Sequence, residues 1–295
     1  MCGIRPLVLL EAAMAFLVSL ILPAYNPGPV LEQTWKELLP FALKKPNWEF
    51  VFVCDGCTDG SDRQLKQWIV GHRNMQVVSY ARNLGKGYAL RVGMRRAKGA
   101  YRIFTDIDLA YPLPMVETIA EQLLAGCDVA IASRAHPESQ IDIAGELKSY
   151  MRMRSLQSYV LSYIVKVLLG IRQRDPQAGL KGFSPRAARL LAPLIKSVGF
   201  SYDCELLVAC RFFGIHVREV PIHVRYEHAH STTRLKRTLQ MAAELMQIRR
   251  RWRRIGKQGL PASIFSLLEG PGSTAHEISH EADPLDDTLS HHQRG

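Results

Sequence analysis

Tyr101-Arg102-Ile103-Phe104-Thr105-Asp106-Ile107-Asp108 is a short apolar run that ends on two carboxylates, and it belongs to a series. Phe16 to Leu22, Phe50 to Cys54, Gln76 to Ser79 and Asp128 to Ala132 are the other short apolar runs, each bounded by turn residues. Helix-length segments lie between them, roughly 30 to 43, 61 to 71, 86 to 97 and 114 to 125. That alternation predicts an α/β fold, a mostly parallel central sheet flanked by helices. In such sheets ligands gather at the carboxyl ends of the strands. The polar motifs of this sequence all follow strands.

The 295 residues, 47% of them hydrophobic, suffice for one large core with appendages. The segment after Lys257 holds six acids and one Arg; without it 37 basic and 21 acidic residues remain, a net of +16 that suits polyanionic partners. Six cysteines lack the dense spacing of a disulfide scaffold and point to a reducing cytosol. Cys54 and Cys57 form a CxxC with no second ligand pair nearby, so they are read as structural. Leu7 to Leu22 is apolar apart from Glu11 and Ser19, but it is short for a membrane span, which needs about 20 residues. Its second half runs into Pro23-Ala24-Tyr25-Asn26, the expected end of the first core strand. Residues 1–14 are therefore read as an extension.

Pro23-Ala24-Tyr25-Asn26 after the first strand and Asp55-Gly56-Cys57-Thr58-Asp59-Gly60 after the second put an aromatic ring and a carboxylate on one rim. Such a pair can grip a base and a ribose, with Asp55 accepting from a base imide or a ribose hydroxyl. As isolated motifs they read equally as strand-to-helix turns. Arg82-Asn83-Leu84-Gly85-Lys86-Gly87 opens a helix, where glycines, a helix N-terminus and Lys86 favour an anion. It has neither P-loop nor dinucleotide spacing. Asp106 and Asp108, two apart in an extended segment, are expected to point the same way. Two like charges so close are costly unless a cation lies between them. A hard divalent ion, Mg²⁺ or Mn²⁺, bridging Asp106, Asp108 and a diphosphate meets that need.

Taken in order, these motifs together with Ser133-Arg134 resemble the family 2 glycosyltransferases of the GT-A fold that make polyprenyl-phosphate sugars. Ser133-Arg134-Ala135-His136, Asp175 to Phe183 and Phe200 to Glu205 are similar to the dolichyl-phosphate β-glucosyltransferase branch. The resemblance runs from about residue 16 to about 236. It implies an inverting transfer of a hexose, glucose from UDP-glucose before mannose from GDP-mannose, to a polyprenyl monophosphate. By the same resemblance Asp55, Pro23, Tyr25 and Asn26 line the nucleotide pocket, with Lys86, Asp106 and Arg234 also on the donor. Asp106 and Asp108 match the metal site. Arg134 and Lys181 match positions near the sugar or the phosphates, and Asp175 a carboxylate near the reacting centre, so Asp108, Asp175, Arg134 and Lys181 form the expected catalytic set. Ala110 stands where the mannosyl branch usually has a Gln, and Ala178 where bacterial relatives often carry an acid, which leaves Asp175 alone in that loop.

A longer amphipathic helix is expected from Lys148 to Leu169, with Lys148 and Arg152 as candidates for the acceptor phosphate and an apolar face toward the bilayer. The catalytic domain is read as residues 15–232. Residues 233–257 are read as a basic amphipathic helix for an anionic membrane surface, studded with Leu239, Met246, Ile248 and Trp252. Residues 258–295 read as a disordered tail. The expected place of action is the cytoplasmic face of a membrane, with peripheral attachment that salt weakens and no nucleic acid bound. His228 and His230 are read as part of a closing loop, not as zinc ligands. Rival readings are a sugar-phosphate nucleotidyltransferase, a basic surface-binding module, and a family 2 transferase with another acceptor such as a soluble sugar or a diacylglycerol. The first lacks its Gly-rich basic loop after strand one, and the second leaves Asp106 and Asp108 unexplained.

Overall fold

The computed structural model describes residues 16–143, 162–199, 201–226 and 235–259. Its first strand, β1 (Val18–Ala24), is buried along its whole length. It pairs in parallel with β2 (Trp48–Asp55) and β4 (Tyr101–Phe104), and β2 pairs in parallel with β3 (Met75–Tyr80). The apolar run before Pro23 is thus the centre of a sheet. Beyond β4 the order continues through β7 (Lys181–Phe183), β5 (Val129–Ser133) and β8 (Val217–Pro221). Strand β7 is antiparallel to both neighbours, whereas β5 and β8 are parallel. A separate two-stranded parallel sheet joins β6 (Gln140–Ile143) to β9 (His223–Tyr226).

Alternation along the buried strands splits the core into two layers. Ile21, Val51 and Val53 face one cluster, together with α3 (Lys86–Arg96), α5 (residues 162–169), α6 (Pro185–Leu191), α7 (Tyr202–Phe212) and α8 (Leu235–Gln258). Leu20, Leu22, Phe50 and Phe52 face the other, covered by α1 (Val30–Leu43) and α4 (Leu113–Leu124). Helix α2 (Ser61–Trp68) lies against β3 and adds Leu65 to that second cluster.

One expectation changes. Strand β4 stops at Phe104, so Asp106 and Asp108 do not come together by strand alternation. Leu109 N–H closes a turn on Asp106 O at 3.1 Å and adopts a left-handed φ of 47°, and Thr34 on α1 holds the turn by donating to Ile107 O at 2.5 Å. Of the helix expected from Lys148 to Leu169 only residues 162–169 are described, and all of those are helical. Lys148, Arg152, His228, His230 and Arg234 lie outside the described residues, as do the extension at residues 1–14 and the tail beyond 259. No helix among the described residues is long and apolar enough to cross a membrane.

Candidate active site

The carboxyl ends of β1, β2, β3 and β4 carry the first four motifs, and hydrogen bonds and an ion pair tie them together. Asn26, at φ 46°, accepts from Thr58 N at 2.7 Å and donates to Thr58 Oγ1 at 3.1 Å, while Gly28 N donates to Asp59 Oδ2 at 3.0 Å. These bonds fix the rim that follows β1 against the rim that follows β2. Pro23 is buried inside β1, whereas Tyr25 stands about half exposed beside it. Asp55 is nearly buried and accepts from Leu84 N at 2.8 Å and Gly85 N at 2.9 Å. Its carboxylate therefore clamps the 83–85 loop from the end of β2.

Gly85 has φ 99°, and a side chain there would run into Val198 O. That carbonyl accepts from Gly87 N at 2.8 Å and Tyr88 N at 3.2 Å. The free amides that would draw an anion to the start of α3 are thus partly consumed by the 196–199 loop. What remains for an anion at this corner is Lys86, whose ammonium lies 2.5 Å from Asp106 Oδ1. Burial works against that charge, but Asp106 and then Asp203 more than offset it, and the Lys86 pKa is raised.

Asp106 and Asp108 remain electrostatically coupled across the turn. Burial and the Asp106 charge raise the Asp108 pKa against the bond from Ala110 N at 3.1 Å and the nearby Lys86. A side chain on Gly179 would overlap Asp106 Oδ2, so the Gly179 backbone lies directly against that carboxylate. Among the described residues no group of three or more acidic, His or Cys side chains is arranged to hold a metal ion by itself. Two oxygen-bearing side chains, with phosphate oxygens to complete the shell, match how Mg²⁺ is usually held in nucleotide sites. The residues present fit such an ion, and Lys86 balances part of the charge in its place.

At the other side of β4 the Ser133-Arg134 motif forms a bidentate pair. Arg134 donates from Nε to Asp175 Oδ2 at 2.7 Å and from a terminal nitrogen to Oδ1 at 2.9 Å, and its backbone N–H adds 3.1 Å to Oδ2. Burial raises the Asp175 pKa, but these bonds and the Arg134 charge outweigh it and leave it lowered. Asp175 is buried, while Arg134 is 37% exposed and presents the pair to the open side.

Lys181, expected beside the sugar or a phosphate, is wholly buried on β7. It donates to Ala178 O and pairs with Asp203 Oδ1 at 2.7 Å. Its charge is neutralised inside the protein, which places it beneath the Asp175–Gly179 loop as a support. Asp203 and Glu205 went unassigned on sequence. The signal for them was two acids in the first turn of a helix that is mostly apolar up to Arg211, where burial demands partners. Cys54 and Cys57 are free, and Cys57 donates weakly to Ala24 O at 3.5 Å behind the same rim.

The family model for glycosyl transferase family 2 matches residues 19–176, from β1 through Asp175. The chain belongs to glycosyl transferase family 2. Its sequence is 26% identical over 251 residues to the dolichyl-phosphate β-glucosyltransferase of Saccharomyces cerevisiae, covering 79% of this chain and 74% of that protein. With the human dolichyl-phosphate β-glucosyltransferase it shares 27% over 249 residues, 80% of this chain and 75% of the other. Among solved structures it resembles glucosyl-3-phosphoglycerate synthase of Mycobacterium tuberculosis bound to Mn²⁺, UDP-glucose and phosphoglyceric acid, with a TM-score of 0.56 at 20% identity, over 89% of this chain and 87% of that one. That likeness shows that this family 2 transferase has the GT-A fold.

Proposed function

We propose that this family 2 enzyme transfers glucose from UDP-glucose to a dolichyl or other polyprenyl monophosphate, with inversion, at the cytoplasmic face of a membrane to which it attaches peripherally. The observation that carries the reading is the convergence of Asp106, Asp108 and Lys86 at the end of β4, beside the rim formed by Tyr25, Asn26 and Asp55. A nucleoside diphosphate needs such a charged corner next to a pocket for its base. The acceptor and the sugar are supported by the relatives' names, which span about four fifths of this chain.

In the transfer the bond from the anomeric carbon to the UDP oxygen breaks, and a bond from that carbon to an oxygen of the lipid phosphate forms on the opposite face. A phosphate monoester is largely ionised near neutral pH, its second pKa being about 6. No strong general base is then required, and the protein's part is placement and charge balance. Asp106 and Asp108 would hold Mg²⁺ or Mn²⁺, which would supply Lewis-acid stabilisation of the departing diphosphate. Lys86 faces the same charge. The Arg134 guanidinium, held flat by Asp175, is the cation on the side of the sugar or the incoming phosphate. Lys181 acts through the loop it supports.

Thermal shift measurements with UDP-glucose, GDP-mannose and UDP, each with and without Mn²⁺, test the donor assignment. UDP-glucose with Mn²⁺ is expected to raise the midpoint by several degrees. A larger shift from GDP-mannose would overturn the choice of base.

A further inference from the structure

Half of the exposed large apolar side chains among the described residues sit on three neighbouring elements, α5, the end of α7, and α8. Tyr163, Ile164 and Val167 are 60%, 51% and 66% exposed on α5, and Phe212 on α7 and Met246 on α8 add to them. Between these elements runs a groove of about 430 Å³ whose walls are Leu168, Leu169, Val208, Phe212 and Trp252. Arg211, Arg249 and Arg253 line its polar side.

Helix α8 explains why the groove is basic. Leu245, Ile248 and Trp252 are buried against α7, so the opposite face must look outward. On that face Arg250, Arg253, Arg254 and Lys257 recur at helical spacing, and no acid occurs from Leu245 to Gln258. Among the α8 cations from Arg249 to Lys257, Arg251 pairs with Glu205 on the inward side. Arg211 is spent on the end of α5, donating to Gly170 O at 2.7 Å. The outward arginines keep their charge open to solvent, immediately beside aliphatic side chains that gain nothing from water.

We infer that this flank, α5 with the α7 end and the outer face of α8, is where the enzyme docks on a bilayer of anionic phospholipid. It extends the peripheral attachment proposed above by naming the face. Arginine guanidinium groups pair with phosphate in a fork geometry, and the Ile164, Val167 and Phe212 side chains reach the acyl boundary beneath the headgroups. A nucleic acid would satisfy the arginines and leave Ile164 and Val167 in water. A bilayer satisfies both, and this combination decides the occupant.

Vesicle flotation without donor or acceptor tests the face independently of the transferase reading. The full chain is expected to float with phosphatidylcholine vesicles containing 30% phosphatidylglycerol, chosen to give an anionic surface of roughly cytoplasmic-leaflet potential, and to stay in the dense fraction with phosphatidylcholine alone. The Arg250→Gln/Arg253→Gln/Arg254→Gln variant should bind the anionic vesicles at least about tenfold more weakly, given the contribution expected per cation. Ile164→Ser/Val167→Ser should weaken binding several-fold at unchanged salt dependence. Lys36→Gln on α1 with Lys44→Gln just after it removes two exposed charges from a different face and is the control, which should float as the parent does; circular dichroism checks that each variant is folded. Unchanged flotation of either α5 or α8 variant, an equal loss in the α1 control, or tighter binding to a single-stranded RNA than to vesicles would overturn the assignment. So would a parent protein that stays dense at low salt, as it would if the acidic segment after residue 259 filled the groove. In each of those cases transfer to a detergent-dispersed acceptor would still report on the proposed reaction.

Discussion

Trp252 on α8 donates its indole N–H to Glu205 Oε1 on α7 at 3.1 Å, and through that carboxylate α8 is joined to the loop that packs on the start of α3. Glu205 is wholly buried and also accepts from Lys196 N at 3.1 Å and Ser197 N at 2.8 Å, besides pairing with Arg251. Those amides hold the loop whose Val198 carbonyl receives Gly87 N and Tyr88 N. Ser201 and Glu244 make a second tie between the same elements at 2.5 Å. Glu205→Gln keeps the shape but trades charge-assisted bonds for neutral ones, and it is expected to cost about 2 kcal/mol in urea unfolding. Because the loop seats Lys86, the donor KM should rise several-fold more than kcat falls. An unchanged KM with lowered stability would mean that Glu205 serves the fold alone.

Asp108→Asn should abolish at least about 99% of turnover, the scale on which one transition-state charge contact is worth in enzymes. Its effect on stability has the opposite sign. Burial and Asp106 raise the Asp108 pKa, so in the metal-free protein its ionised form opposes folding and stability falls as pH rises from the ordinary carboxylate range to the raised value. Metal-free Asp108→Asn should therefore unfold at equal or higher urea near pH 7 than the parent. Added Mn²⁺ should stabilise the parent more than the variant.

Lys181→Met leaves Asp203 buried without its cation, which is expected to cost about 3–5 kcal/mol. The double change Lys181→Met/Asp203→Leu should recover most of that loss in a urea melt, since apolar replacement of a buried pair is often close to neutral. A Lys181→Met protein of parental stability but no activity would instead place Lys181 in the chemistry.

The Asp175 pKa is lowered by Arg134 in spite of burial, so this pair stabilises the fold fully above the ordinary carboxylate range. The contribution is lost as pH falls through the depressed value. The stability difference between the parent and Arg134→Gln should be flat above about pH 5 and shrink below about pH 4, where Asp175 takes up its proton. A difference that grows on acidification would contradict the pairing.

The parallel half of the sheet was legible because β1, β2, β3 and β4 are apolar runs bounded by turns, and their helices carry matching apolar stripes. Strand β7 was not, because Lys181-Gly182-Phe183 is three residues long and includes a charge that only Asp203, from a distant helix, makes tolerable. Strands β6 and β9 pair across some eighty residues of sequence and have too little apolar patterning to show alone. The motif positions of Asp55, Lys86, Asp106, Asp108, Arg134 and Asp175 could be read from spacing and resemblance. Their pairings could not, since Lys86 with Asp106 and Arg134 with Asp175 are long-range contacts that no local pattern encodes. The same holds for the left-handed turn at Leu109, which Thr34 on α1 contacts through Ile107 O.

The central claim is glucosyl transfer to a lipid phosphate, and the most direct measurement is to incubate the full chain with UDP-[¹⁴C]glucose, dolichyl phosphate in detergent and Mn²⁺, then extract into organic solvent. The account predicts label in a mild-acid-labile glucosyl lipid, absent when dolichyl phosphate is omitted or when Asp108→Asn replaces the parent. Label that stays wholly in the aqueous phase while GDP-mannose labels the lipid, or while a soluble acceptor becomes glucosylated, would contradict it.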